Sequence, residues 1–193
     1  MSVTVSHSSR YATLLVISIG HPTDSSLQLH TTHGDLKLEL FCTSVPKTTY
    51  NFLALCASSS YTRSPIHRLI PSFMFQTGGL PSSPNPAKPL SQSIYPSGDF
   101  EDEIRPTLRH NARGIVSMAN KGPGTNGSQF FVTFAAAPHL DGKNTVFGRV
   151  IEGVEEGGVL DVIEGVEVDR KNRPVEPCWV ERVTVHANPL ADE

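Results

Sequence analysis

The sequence is short of the residues that staple small secreted scaffolds and of those that bind polyanions. Its three cysteines, Cys42, Cys56 and Cys178, are odd in number and widely spaced. That fits buried free thiols in a reducing compartment better than it fits a disulfide framework. Lys and Arg total 16 against 19 Asp and Glu, a formal net charge of −3. Without a basic excess, no direct nucleic-acid contact is expected. No apolar run approaches the roughly 20 residues of a membrane helix, so no membrane partner is expected either. The phosphate-loop, GxGxxG and HExxH patterns are absent. The glycine-rich stretch Gly122–Gly127 lacks a phosphate-loop lysine, and His30-x-x-His33 lacks a second pair of ligands, so neither a metal nor a cofactor is expected. Ser117 and Ser128 stand outside any G-x-S-x-G elbow, and no cysteine has a neighbouring basic group that marks it as a nucleophile.

What is present suits one domain with a real core: 193 residues, 38% hydrophobic and 18% charged. Leu27 and Leu29 alternate with polar residues, His33-Gly34-Asp35 marks a turn, and Leu36, Leu38 and Leu40 alternate again, which predicts a hairpin over 27–41. Residues 44–57 carry apolar side chains at helical spacing, with Ser44 as the expected N-cap and Pro46 in the first turn. Short strands are predicted at Ile66–Ile70 and Phe73–Thr77, joined through Pro71-Ser72, and at Gly114–Ala119, Gln129–Phe134, Val146–Val150 and Trp179–His186. A short helix is predicted over Val154–Ile163, weakened by Gly157-Gly158. Five prolines within 80–98 predict an irregular surface loop. Many short strands with few helices imply a closed antiparallel β-structure.

One set of residues stands out. On Ile66-His67-Arg68-Leu69-Ile70 an arginine interrupts an apolar run. Alternation puts Met74 and Gln76 on one strand face, and Gln129 and Phe131 on one face of another. Apolar rings, amides and one arginine can therefore share a surface, although each alone is more often simple packing.

These residues resemble the cyclophilin family of peptidyl-prolyl isomerases. The likeness is carried by Ile66-His67-Arg68, the run Phe73–Gly79, Phe100-Glu101-Asp102-Glu103, Gly114–Asn120, Gly122–Phe131, Leu140-Asp141-Gly142-Lys143 and Val146-Phe147-Gly148. It spans roughly 27–190 and is strongest to the small single-domain, spliceosome-associated type. The resemblance implies a mainly β fold, an eight-stranded antiparallel barrel capped by two α-helices. It implies Arg68 and Gln76 as catalytic residues. Substrate would be bound by Phe73, Met74, Ala119, Asn120, Gln129, Phe131, His139, Leu140 and Asn144. Gln76 and Gln129 would hold the substrate backbone and Arg68 in place, and the Asn120 main chain would hydrogen-bond the substrate. Strict alternation puts Phe73 opposite Met74, so a bulge or turn at Ser72-Phe73 must swing its ring round.

The implied partners are proline-containing peptides and proteins, spliceosomal proteins among them, for a monomer in the nucleus or cytoplasm. His139 stands where the family often has Trp, so weak cyclosporin binding is expected. Asn144 replaces a pocket-edge histidine, and the loop 80–92 is rich in Pro and Ser where the family has glycine. Two functional readings follow: an isomerase assisting folding or ribonucleoprotein remodelling, or a module that binds proline segments within such an assembly with little catalysis. Residues 1–26 read as an atypical extension, expected to be loosely ordered, before the domain at 27–190. Tyr11–Ile19 reads as an extra strand or, less well, as a signal-peptide core. Residues 5–28 read equally as an insertion, their Val5 and Gln28 codons being compatible with the ends of a retained intron.

Overall fold

The computed structural model describes residues 25–79 and 91–186. Tyr11–Ile19, the rest of the N-terminal extension up to residue 24 and the proline cluster at 81–89 lie outside these residues, whereas Ser25 and Ser26 open the first strand. The hairpin forms as its alternation predicts: β1 (Ser25–Thr31) pairs with β2 (Gly34–Leu40). Leu27, Leu29, Leu36, Leu38 and Leu40 all face inward and are fully buried. Helix α1 (Pro46–Ala57) follows. Then come β3 (Ser64–Pro65), β4 (Arg68–Ile70), β5 (Met74–Thr77), β6 (Ile115–Met118), β7 (Phe130–Thr133), β8 (Val146–Glu152), α2 (Val159–Glu164) and β9 (Trp179–His186).

All pairings are antiparallel, in the order β3-β9-β1-β2-β8-β6-β7-β5-β4. The two outermost segments, β3 and β4, are consecutive in the chain. Ile66 N–H donates to Cys178 O on one side, and His67 N–H donates to Gln76 O on the other. Residues 64–70 thus act as one interrupted strand whose halves serve both edges. Counted so, the nine segments make the eight strands expected, and the sheet curls round until its edges meet through the chain itself.

The helices sit at opposite ends. α1 leaves the Leu40 end of β2 and drives Phe52 into a ring cluster with Tyr61, Phe130 and Phe147, centroids 5.0–5.3 Å away. α2 packs at the Gly34 end, where a Cβ on Gly34 would stand 2.7 Å from Val159, and buries Leu160 and Ile163. α2 is shorter than predicted, because residues 155–158 form a turn and Gly158 becomes the N-cap.

The expected Ser44 cap does not form. Val45 is the N-cap and makes no side-chain cap bond. Instead the Glu103 carboxylate accepts from Lys47 N–H (3.2 Å), Thr48 N–H (2.7 Å) and the Thr48 hydroxyl (2.7 Å). Pro46 has no N–H to satisfy, and Thr49 N–H already reaches Val45 O, so a residue 55 positions away completes the helix start. The three cysteines are free and buried, as expected. Among the described residues, no helix is long and apolar enough to cross a membrane.

Candidate functional site

The barrel wall formed by β4, β5, β7 and β6 has two faces with different occupants. Leu69, Phe75, Val132 and Val116 point inward and are fully buried in the core. The opposite face is fixed by register: Arg68 lies across from Gln76, Gln76 across from Phe131, and Phe131 across from Ser117. Met74 follows Gln76 on that face two residues away. Met74 and Phe131 are buried at 3% and 5% exposure yet do not belong to the core cluster. They form a separate apolar patch, with the exposed Arg68 beside it.

Phe73 reaches this patch through the turn that alternation demanded. Ser72 adopts a left-handed φ of 59°, and Phe73 N–H closes the turn on Ile70 O at 3.1 Å. The Phe73 ring then meets the His139 ring at 5.3 Å. His139 and Leu140 ride on a single 3-10 turn, Pro138–Leu140, with His139 exposed and Leu140 half-buried.

The amides line the other flank. Gln76 Nε2 donates to Gln129 Oε1 at 2.8 Å. The Arg68 side chain makes no ion pair or hydrogen bond among the described residues, so its guanidinium is not held by Gln76 as expected; the two are cross-strand neighbours. Next to Arg68, burial lowers the His67 pKa, with the bonds to Pro65 O and Gln129 opposing that and the Arg68 charge adding to it. A neutral His67 leaves Arg68 the cation on this strand.

Ala119 N–H donates to Gln129 O, which brings Ala119 and Asn120 alongside. The Asn120 side chain is anchored outward, donating to Lys143 O at 2.9 Å and Asp102 Oδ1 at 3.2 Å. Asp102 also accepts from Asn126 Nδ2 and Gly124 N–H, both at 2.8 Å, and so ties the 120–126 loop together. The Asn120 main-chain groups have no partner among the described residues. Asn144 does not line the patch with an apolar surface; its amide donates to Met118 O at 3.0 Å and pins the 140–144 turn to the end of β6.

One supporting residue, His110, was not singled out from sequence. Fully buried His110 stacks under Phe131, ring centroids 5.8 Å apart and 13° from parallel. Its Nδ1 lies 2.9 Å from Asp141 Oδ1, and its Nε2 lies 3.0 Å from Ser117 Oγ. With Nδ1–H given to Asp141, Nε2 accepts the Ser117 hydroxyl, whose one proton is shared with Thr145 O. Burial, the largest cause, lowers the His110 pKa against the pull of Asp141. The Asp–His–Ser order is that of a hydrolase, but Ser117 is fully buried and offers no open nucleophile. Nothing near His110 in sequence pointed to Phe131, because the contact joins a loop to a strand 21 residues on. Burial pushes the thiol pKa of Cys56 and Cys178 up, which disfavours the reactive thiolate at both. No group of three or more metal-ligating side chains occurs among the described residues.

The arrangement sets Met74 and Phe131 as an apolar patch outside the core, with the Phe73 ring against the His139 turn, Arg68 across from Gln76, and the Gln76–Gln129 amides alongside. It can hold a small ring and a length of extended peptide, and it can place a positive charge beside the ring without covalent chemistry.

Known proteins share this chain's sequence and fold. Residues 26–185 match the family described as cyclophilin type peptidyl-prolyl cis-trans isomerase/CLD. A peptidyl-prolyl cis-trans isomerase-like 3 from Gibberella zeae is 65% identical over 167 residues, covering 86% of this chain and 99% of the relative. One from Mus musculus is 50% identical with the same coverage. Among solved structures, a cyclophilin type peptidyl-prolyl cis-trans isomerase of Cryptosporidium parvum superposes with a TM-score of 0.78 at 39% identity, covering 86% of this chain and 99% of that one. The same protein in the presence of the dipeptide Ala-Pro gives 0.76 at 38% identity, covering 84% and 99%. The chain belongs to the cyclophilin-type peptidyl-prolyl cis-trans isomerases.

Proposed function

We propose that this isomerase turns X-Pro bonds of protein substrates over the outer face of β4, β5 and β7, with Arg68 as the catalytic group. A peptide bond resists rotation by about 18–20 kcal/mol because conjugation gives it double-bond character. In X-Pro both isomers are populated, and they exchange over tens to hundreds of seconds. At the twisted midpoint conjugation is lost and the prolyl nitrogen regains a lone pair. A guanidinium donor aimed at that nitrogen favours the twisted form over either planar one, which is what catalysis requires. Arginine suits the task because it stays protonated and offers several fixed donors.

The proline ring would rest on Phe73, Met74, Phe131 and Leu140. Gln76, Gln129 and the Asn120 main chain would hold the flanking backbone, while Ala119 and Asn120 form the wall beside it. The observation that carries this reading is the cross-strand row Arg68–Gln76–Phe131, which sets an unpaired cation against a buried apolar patch outside the core. The Ala-Pro dipeptide used with the Cryptosporidium parvum relative supports proline-bearing ligands as the substrate class. His139 at the rim presents less apolar surface than an indole, so cyclosporin should bind weakly. Clients in ribonucleoprotein assemblies, spliceosomal proteins among them, and action in the nucleus or cytoplasm belong to the same proposal, resting on the family type alone.

Exchange NMR on an Ala-Pro-containing peptide with catalytic amounts of protein tests the reading. Cis–trans exchange should quicken with the native chain and not with Arg68→Ala. Equal acceleration by both would refute it.

A further inference from the structure

Helix α2 reaches the proposed proline pocket through one carboxylate. Strand alternation alone would send the Phe73 ring toward the core, on the same side as Phe75. The ring instead faces His139 because Ser72 takes a left-handed conformation, φ 59°, and breaks the alternation. A side chain with a Cβ is strained in that region, so the turn needs an external hold. Glu164, the last residue of α2, supplies one: its Oε1 accepts the Ser72 N–H at 2.8 Å.

The carboxylate is itself fixed from behind. Arg113 pairs with Glu164 Oε2, also pairs with Asp161, and donates to Phe134 O at 2.9 Å. The same guanidinium lies 5.5 Å from the centre of the Phe134 ring. Phe134 N–H in turn donates to Phe73 O at 2.8 Å, closing a loop of contacts around the turn. α2 does not depend on this link for its own seat, because its buried side chains are Leu160 and Ile163.

We propose that Glu164 is a positioning residue for the isomerase site: it fixes the Ser72 turn and thereby aims Phe73 at the proline ring. This rests on the assignment of Phe73 to the proline pocket. Loosening the turn should weaken the grip on proline without touching Arg68. Losing this hold should therefore raise KM and leave kcat nearly unchanged.

The test uses the full chain, an Ala-Pro-containing peptide and four variants: Glu164→Ala, Asp161→Asn, Ser72→Gly and the Glu164→Ala/Ser72→Gly pair. Glu164→Ala should raise KM and the peptide Kd about 3–10-fold with kcat within about twofold, and should speed amide hydrogen exchange at Ser72. Asp161→Asn removes an ion pair on the same arginine but not the turn, and should change neither. Ser72→Gly, free of the left-handed penalty, should bring the double variant back toward the Kd of Ser72→Gly alone. An unchanged Kd in Glu164→Ala, no restoration by glycine, or an equal effect from Asp161→Asn would each overturn the proposal. If peptide binding to the native chain leaves the Phe73 resonances unmoved, the pocket assignment fails and this proposal fails with it.

Discussion

Replacing Glu103 by Ala should destabilise the fold through a helix that Glu103 does not belong to. Its carboxylate accepts from two backbone N–H groups and one hydroxyl at the start of α1, at 2.7–3.2 Å. Thr48, which supplies two of the three donors, is fully buried, so water cannot replace the lost acceptor there. Losing a helix cap costs about 0.5–2 kcal/mol, and leaving a buried donor unsatisfied costs about 1–3 kcal/mol. These overlap, because both count the same N–H groups, so about 2–3 kcal/mol is expected for Glu103→Ala. Glu103→Gln keeps one oxygen acceptor and loses the favourable charge at the helix N-terminus, for about 1 kcal/mol. In a domain of this size 1 kcal/mol moves Tm by about 2–4 °C, so Tm should fall by about 4–12 °C for Ala and by less than half that for Gln. Urea unfolding with an unchanged m-value would confirm that native stability, and not the denatured state, is what moved. Activity per folded molecule should persist, because the neighbouring Asp102 carries the Asn120 loop. A loss below about 0.5 kcal/mol for Ala would refute this account of the α1 terminus.

Three further outcomes are expected. The His110 pKa is lowered in the fold, so the folded state prefers the neutral ring: its contribution is complete above the unfolded value of 6.5 and is lost as pH falls below it. The half-buried His67 acts in the same direction. Chemical denaturation from pH 7.5 to 5 should therefore show falling stability, by up to about 1.4 kcal/mol per pH unit for each proton taken up, and His110→Gln should flatten the curve; stability that holds level in the native chain would contradict this. Ser72→Gly should raise stability by about 0.5–1 kcal/mol, because glycine occupies the left-handed region without penalty, as measured by urea midpoint; a loss would show that Ser72 is not strained. His139→Trp, at an exposed rim position against Phe73, should tighten cyclosporin binding at least about tenfold by calorimetry, since an indole buries far more apolar area than an imidazole; unchanged affinity would remove His139 from the rim.

Much of this was legible in the sequence because short-range patterns carried it. The alternation of Leu27 to Leu40 gave the hairpin and its buried face, and the same alternation placed Met74, Gln76 and Phe131 on one surface. The conflict at Phe73 was itself informative, since only a turn could resolve it, and Ser72 provides that turn. What local pattern could not carry were contacts between distant segments. Glu103 capping Thr48, His110 lying under Phe131, and Glu164 holding Ser72 each join positions that no spacing rule relates. Ser44 looked like a cap because its residue type favours one, yet a remote carboxylate took the role. How the sheet's two edges are made was likewise hidden: Ile66–Ile70 reads as a single strand, yet Ser64–Pro65 pairs with β9 and Arg68–Ile70 with β5.

The most direct test of the central claim is the ratio of kcat/KM for the native chain to that of Arg68→Ala on an X-Pro peptide, with peptide Kd measured alongside. If Arg68 acts on the twisted form and not on the bound ground state, the ratio should reach about 100 or more, equivalent to about 2.7 kcal/mol of transition-state stabilisation, while Kd moves by less than about fivefold. A ratio within about threefold, or a loss of rate matched wholly by a loss of binding, would contradict the account.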